Sequence, residues 1–405
     1  MNDRGLRQAA LLGAVLLLVL LPSNVPAGIV PLLRSEWGAS GFVVGWVVGA
    51  YQLGYAAAVL VVVPLTDRFA ARSVVLGSVV VTLLASVAFP LLAQGPATAI
   101  LLRVVAGAGL AGVYMPGVRI VAAAADPRRR GRAVGVYVSA FYLGSALSLL
   151  LVGVLLGPLG WRGAALVLGA ASVLGLALTL VARIPLERAS GRARLDPSVV
   201  REPRLAAAVA AYAGHTWELY AERAWLAAFL AVILASRAPS ALEASAEGSR
   251  WAALMLALGV LGVALGGIVS DRAGRAPSAA AFALASGVLS IVLGTLAAAP
   301  WPLVVAVGCV LGLLISADSA IYSTLVTETV PAGRLGSAQA IQASLGFLSA
   351  SVAPAVAGLA MDVGLGWPGV FATAGAASII AAGVMAAQIP GRSTPFRRAR
   401  SSASG

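Results

Sequence analysis

Lysine is absent from this sequence, and charge of any kind is scarce: the charged residues make up 11% of 405 positions. A soluble domain is closer to a quarter charged. There is one cysteine, Cys309, inside an apolar run, which excludes an internal disulfide and a cysteine-based metal site. His215 is the only histidine, so no zinc or haem site is expected, and no cofactor of any kind. No phosphate-cradling loop, nucleophile motif or metal-ligand cluster appears, so the chain is not expected to be an enzyme. What is abundant is apolar: 60% of residues are hydrophobic and the mean hydropathy is +0.96. No soluble fold of this length can hide that much apolar surface. The lipid bilayer must be the solvent.

The formal charge of +13 raises nucleic acid as a partner. Its distribution excludes that: the 28 basic residues, all Arg, sit mostly in short gaps between apolar runs, with no basic face and no interleaved aromatics. Apolar stretches of about 20 residues read as membrane spans. They fall near 8–33, 42–64, 73–94, 98–124, 133–156, 162–182, 205–234, 250–270, 277–299, 302–325, 337–361 and 369–389. With the N-terminus inside, the cytoplasmic segments hold 21 Arg, the outer loops hold Arg34, Arg162, Arg237 and Arg250, and three lie within spans. That asymmetry places both termini in the cytoplasm, in a cell's inner (plasma) membrane. Arg4 and Arg7 before an apolar core, with Val25-Pro26-Ala27 beyond it, also resemble a signal peptide. The repeat described next needs the first helix, so it is read as a span.

The longest charged gap, 183–204, falls in the middle. It reads as a cytoplasmic linker between an N-terminal six-helix bundle (1–182) and a C-terminal one (205–390), with a basic tail at 391–405. Asp67-Arg68 follows span two and Asp271-Arg272 follows span eight, 204 residues later. The runs from Gly131-Arg132-Ala133 and Gly336-Ser337-Ala338 are parallel at an offset of 205, so that Gly153 and Gly358 correspond. Two halves in one orientation imply a pseudo-two-fold axis along the membrane normal.

Gly267-Ile268-Val269-Ser270-Asp271-Arg272-Ala273-Gly274-Arg275 resembles the G-x-x-x-D-R-x-G-R-R loop of the major facilitator superfamily. The first copy keeps Asp67, Arg68 and Arg72 but lacks both glycines. Arg103 followed by Gly107, Gly109 and Gly112 is similar to that family's Arg-and-glycine motif in span four. The resemblance implies an all-α transporter of twelve spans in two pseudo-symmetric bundles, in which this loop cluster latches the halves in one state of the cycle. Tyr114-Met115-Pro116-Gly117 and the His-Thr-Trp-Glu run from His215 add a slight similarity to cyanate- or nitroimidazole-type permeases. Gly144, Gly153 and Gly157-Pro158 match an antiporter spacing, but Gly157-Pro158 lies at the outer end of its span. It carries no weight for drug efflux.

Ionisable side chains inside a span are costly and mark function. They are Arg103 and Arg119 in span four, His215, Glu218, Glu222 and Arg223 in span seven, and Asp318 in span ten; span one adds Asn24. These are helices one, four, seven and ten, and the resemblance implies that those four line a central cavity. His215, Glu218, Glu222 and Trp225 share one helical face. Two carboxylates at i and i+4 repel, and low dielectric disfavours both charges, which suits a proton-coupling site. Arg223 projects from another face, toward a partner on a neighbouring helix. Arg119 and Asp318 lie on helices of opposite halves and are expected to pair when the inner side closes. Tyr114, with Tyr137, Tyr142 and Tyr322, is a candidate for the cavity wall. Three Arg against three acids nearly cancel and select no substrate sign. The expected function is alternating-access transport of a small solute, coupled to protons and carried out by a monomer. The alternatives are an organic-acid permease using Arg119 or Arg223, and a non-transporting receptor or scaffold.

Overall fold

The computed structural model describes residues 4–126, 129–181 and 196–389, and every regular element among them is helical. The first span is broken into α1 (Arg4–Leu20), α2 (Val25–Gly28) and α3 (Val30–Trp37). Spans two to four are α4 (Gly41–Arg68), α5 (Ala71–Leu92) and α6 (Pro96–Ala124). The fifth and sixth lie in α7 (Arg130–Ala170), which turns at Gly160 with φ +63°, and in α8 (Ser172–Val181). The second half holds α9 (Pro203–Leu234), α10 (Ala241–Ala273), α11 (Arg275–Thr295), a tenth span split into α12 (Trp301–Leu314) and α13 (Ser319–Thr329), then α14 (Leu335–Asp362) and α15 (Gly366–Ala386). Among the described residues, nine helical stretches are long and apolar enough to cross a membrane, and one of them, 130–181, contains two spans. The broken first span and the charged α9 complete twelve. Linker residues 183–195, the tail 391–405 and the Asp67 side chain lie outside the described residues. Because the span number is even, all helices share a terminal end, where the chain begins and ends, and a distal end.

The first span is longer than the expected 8–33 and is not one helix. Pro22, Pro26 and Pro31 each lack a backbone N–H, so three ladder bonds are missing from one short stretch. Lipid offers no water for the groups this frees. The protein supplies partners instead. Ser148 Oγ donates to Leu21 O at 2.6 Å and accepts from Asn24 N at 3.1 Å. Arg103 donates to Pro22 O at 3.3 Å and to the Ser23 carbonyl. Asn24 Nδ2 donates to Ser145 O at 2.8 Å. The tenth span breaks at 315–318 without proline. There tight i→i+3 bonds replace the helical ladder, as from Ala317 N to Leu314 O.

The repeat is visible in packing. A Cβ on Gly107 of α6 would collide with the Tyr51 carbonyl of α4, and one on Gly312 of α12, 205 residues on, would collide with the Met255 carbonyl of α10. Glycine is what lets these backbones touch. The halves meet at the distal end. Gly41 and Gly45 of α4 lie against Gly358 and Pro354 of α14, and Gly153 of α7 lies against Ala246 of α10. Asp362, at the end of α14, accepts from Gly41 N at 2.7 Å and Phe42 N at 2.8 Å, while Ser40 Oγ accepts from Val43 N at 3.3 Å. Together these satisfy the first amides of α4. The carboxylate also faces the positive end of the helix dipole, and Arg34 stands 3.8 Å from it. Charge-assisted bonds of this kind contribute about 1.5–3 kcal/mol each.

Asp362→Ala should therefore loosen distal closure. Ser351, buried beside Gly49 at this interface, would report it as Ser351→Cys in a Cys309→Ala background. A membrane-impermeant maleimide should label that cysteine severalfold faster when Asp362→Ala is added. Equal labelling would remove Asp362 as the distal latch.

Candidate functional site

With the distal end closed, a cavity of about 290 Å³ opens between the halves toward the terminal end. Tyr55 of α4 and Tyr114 of α6 supply part of its wall, with Phe141 and Tyr142 of α7. The second half adds Tyr212, His215, Tyr220 and Arg223 of α9, Ser319 and Ser323 of α13, and Gln339, Gln342 and Phe347 of α14. Seven aromatic rings face this space, and no carboxylate lines it. The near-cancellation of charge expected from the sequence does not hold in the cavity: Arg223 and His215 are its basic residues, and the acids lie elsewhere.

The cause is the rotation of α9. His215, Glu218, Glu222 and Trp225 do share a face, but it turns into the second half. Ser286 Oγ and Ser290 Oγ of α11 each donate to Glu218 at 2.8 Å. Ser286 also lies 3.3 Å from Ser378 of α15. Glu218 is fully buried in this cradle of hydroxyls. Glu222 is buried one turn on and makes no hydrogen bond or ion pair among the described residues. Trp225 Nε1 donates to Pro354 O at 2.9 Å. Arg223, one residue past Glu222, is 100° further round the helix and meets the cavity. Its guanidinium lies 4.9 Å from the Tyr220 ring, and its Nε and Nη2 find no hydrogen-bond partner in the described residues. The neighbouring-helix partner expected for Arg223 is not an acid: among the described residues no carboxylate pairs with it.

His215 bridges α9 to the break in span ten. Its Nε2 is 2.7 Å from Ser319 Oγ, and its Nδ1 is 2.8 Å from Asp318 Oδ1. The latter contact lacks the geometry of a hydrogen bond and is an ion pair only when His215 is protonated. It is His215 that meets Asp318 in this conformation. Arg119 is exposed near the terminal end of α6 and does not. Arg103 does not reach the cavity; it clamps the break in span one and lies 4.5 Å from the Tyr51 ring. Asn24 pins the same break. Tyr114 and Tyr142 line the wall as expected, while Tyr137 is committed to Val113 O at 3.0 Å.

In the loop motifs, Arg275 pairs with Asp271 and, at 3.1 Å, with Glu328 of α13, all within the second half. Gly274, at φ +91°, makes the turn between α10 and α11, and Gly267 lies in open space. Arg72 donates to Leu180 O at 2.8 Å, and Arg68 and Arg272 are exposed. A search for ionisable groups passes over Gln52, Gln339, Gln342 and the serines around Glu218. Serine and glutamine inside spans carry no signal of which neighbour they face.

The profile of the Major Facilitator Superfamily matches residues 12–242. The chain is 31% identical to SCO4007 of Streptomyces coelicolor, described as a "probable transporter", over 86% of this chain and 80% of that one. It is 30% identical to SauU of Cupriavidus necator, described as a "probable sulfoacetate transporter", over 60% and 59%. It spans 34% of the uncharacterized transporter YgaY of Escherichia coli O157:H7, at 33% identity over 33% of this chain. Among solved structures, the E. coli xylose transporter XylE in a partially occluded inward-open conformation superposes with a TM-score of 0.74. It covers 95% of this chain and 97% of that one at 16% identity, a likeness of fold.

The cradle makes its own prediction. Ser286→Ala with Ser290→Ala would strip a fully buried carboxyl of two of its hydroxyl donors, at a cost of about 1–3 kcal/mol. The melting temperature of that double variant in detergent should fall by several degrees. Glu218→Gln, which keeps an acceptor for one serine and offers the other an NH2 that its hydroxyl oxygen can accept from, should melt closer to wild type; a double variant as stable as wild type would show that the hydroxyls do not matter.

Proposed function

The chain belongs to the Major Facilitator Superfamily, transporters rather than enzymes, and on that footing we propose that it moves an organic anion across the membrane by alternating access, coupled to protons. The observation that carries the anion is Arg223. It is buried, lines the cavity, has two unmade donors and makes no ion pair among the described residues, the nearby Glu222 lying on another face of the helix. A buried guanidinium with unmade donors in a low-dielectric wall is costly unless something anionic arrives to meet them. A guanidinium also matches carboxylate and sulfonate oxygens in pairs. The similarity to SauU, described as a probable sulfoacetate transporter, points to the same class of solute.

Proton coupling has two candidate sites. One is Glu218 and Glu222, buried in the second half. The other is His215, on the cavity wall, with Asp318 buried behind it where α12 gives way to α13. The His–Asp pair is nearer the solute, and a change in its charge would be felt at Arg223 eight residues along the same helix. The Arg distribution supports cytoplasmic termini, so the cavity opens to the cytoplasm. The terminal-end loops, with Asp67, Arg68 and Arg72 in one half and Gly267, Asp271, Arg272, Gly274 and Arg275 in the other, would then form the inner latch. Arg119 and Asp318 remain candidates to meet when that side closes. One chain supplies both halves, as a monomer requires.

Reconstituted vesicles carrying an imposed pH gradient test this, with a panel of organic carboxylates, sulfonates, cations and neutral solutes. An organic anion should accumulate faster with the gradient. Arg223→Gln should lower uptake at least tenfold, corresponding to the loss of a buried charge contact, and Arg223→Lys should recover part of it. Glu218→Gln and Asp318→Asn, run in parallel, should separate the two proton sites, since only the coupling residue abolishes the response to the gradient. Wild-type uptake by Arg223→Gln, or movement of neutral solutes alone, would end the anion reading.

A further inference from the structure

Buried polar atoms normally find partners, and a cluster that does not needs a reason. Beside the cavity lies a narrow pocket walled by Ser23, Tyr51, Gln52, Tyr55 and Arg223. Every one of these five side chains has a buried polar atom without a hydrogen-bond partner: Ser23 Oγ, Tyr51 OH, Gln52 Oε1, Tyr55 OH, and Arg223 Nε and Nη2. They come from three separate places: Ser23 from the break in span one, the next three from α4, and Arg223 from α9 in the other half. Four of the five are donors or able to donate. Arg103 adds a second guanidinium 4.5 Å from the Tyr51 ring, and no carboxylate pairs with it among the described residues.

The pocket and the cavity are continuous in their walls. Tyr55, Phe141, Tyr220, Arg223 and Phe347 line both. The pocket has room for about one water, at 10 Å³, while the cavity is ringed by aromatic faces. Tyr55 and Phe347 have centroids 4.3 Å apart, Tyr114 and Phe141 5.4 Å, and Tyr220 and Phe347 5.8 Å. One end of the combined space is therefore a cluster of unmade donors, and the other is an aromatic box.

We propose that the mouth of this pocket, where it joins the cavity, is the head-group site for an amphipathic organic anion, a carboxylate or sulfonate that places one oxygen in the water-sized pocket and its aromatic body among the rings. The assignment rests on the anion reading above and narrows it to a solute with one charged end. A head group entering from the cavity meets Arg223 of the second half first. The hydroxyls of Ser23, Tyr51 and Tyr55, on the first half, then close on it, so the solute is held from both halves and draws them together. Gln52 supplies the acceptor that one of those hydroxyls needs. A small inorganic anion would satisfy the donors and leave the rings unused; a neutral aromatic solute would do the reverse.

Calorimetric titration of the purified full chain in detergent tests this with benzoate, benzenesulfonate, acetate, sulfate and benzyl alcohol. Benzoate or benzenesulfonate should bind at least tenfold more tightly than acetate, sulfate or benzyl alcohol. Ser23→Ala, Tyr51→Phe and Tyr55→Phe should each weaken aromatic-anion binding about tenfold, the usual worth of a hydrogen bond to a charged group. Tyr137→Phe, whose hydroxyl is already committed to Val113 O, should not. The Phe variants keep the ring, and their melting temperatures without ligand check that the fold is intact. Phe347→Ala should weaken benzoate binding and leave acetate binding unchanged. Wild-type binding by all three hydroxyl variants, or acetate and sulfate binding as tightly as benzoate, overturns the head-group site while leaving an anion transporter. Binding of benzyl alcohol without binding of any anion overturns both.

Discussion

The hydrocarbon core of a bilayer contains no water, so each polar group within it must find its partner in the protein. That constraint organises this molecule. The first span can break at its prolines only because Ser148, Asn24 and Arg103 take the backbone groups that the break releases. Arg103, alone on an apolar helix, is matched by carbonyls and the Tyr51 face rather than by an acid. Glu218 is matched by serine hydroxyls rather than by a base. Both buried ionisable groups are thus absorbed into the scaffold. Against that background, the unmade donors of Arg223 and the hydroxyls beside it stand out as unused capacity.

Helix α9 concentrates the contrast. Glu222 and Arg223 are adjacent in the chain and a quarter-turn and more apart in space. One face of α9 is bound into the second half through Glu218, Thr216 and Trp225, with Thr216 Oγ1 donating to Gly346 O at 2.9 Å. The other, with Tyr212, Tyr220 and Arg223, is left to the cavity. His215 sits at the border and reaches the break in span ten, a place where the backbone already departs from a continuous helix. A protonation event there would act at a break in the cavity wall rather than within a continuous helix.

The two ends of the molecule are held differently. At the distal end, glycines bring backbones of opposite halves together, and Asp362 caps a helix of the other half. At the terminal end, the Arg275 cluster stays within its own half. A rocking motion needs contacts that are made on one side while they are absent on the other, and this arrangement supplies one half of that exchange. The matching contacts of Gly107 and Gly312 let each bundle move as a body, because close backbone packing leaves little room to shear.

Much of the fold was legible in the chain. Span number, the duplicated plan and the four polar helices follow from hydropathy, the 204–205 offset and the positions of charge. The broken first span was foreshadowed by Pro22 and Pro26, but span ten carries no proline to announce its break. The candidate site was half legible: His215, Arg223 and Tyr114 lie where expected, whereas Glu218 and Glu222 face away from the cavity, and Ser23, Tyr51, Gln52 and Tyr55 carry no charge to draw notice. Composition and periodicity are properties of each segment, so the sequence by itself determined how many helices cross the bilayer and which of them carry charge. How far each helix turns about its own axis is set by packing against its neighbours. Only the tertiary structure, for that reason, decided that hydroxyls would surround the acids of α9 while its arginine was left facing the cavity.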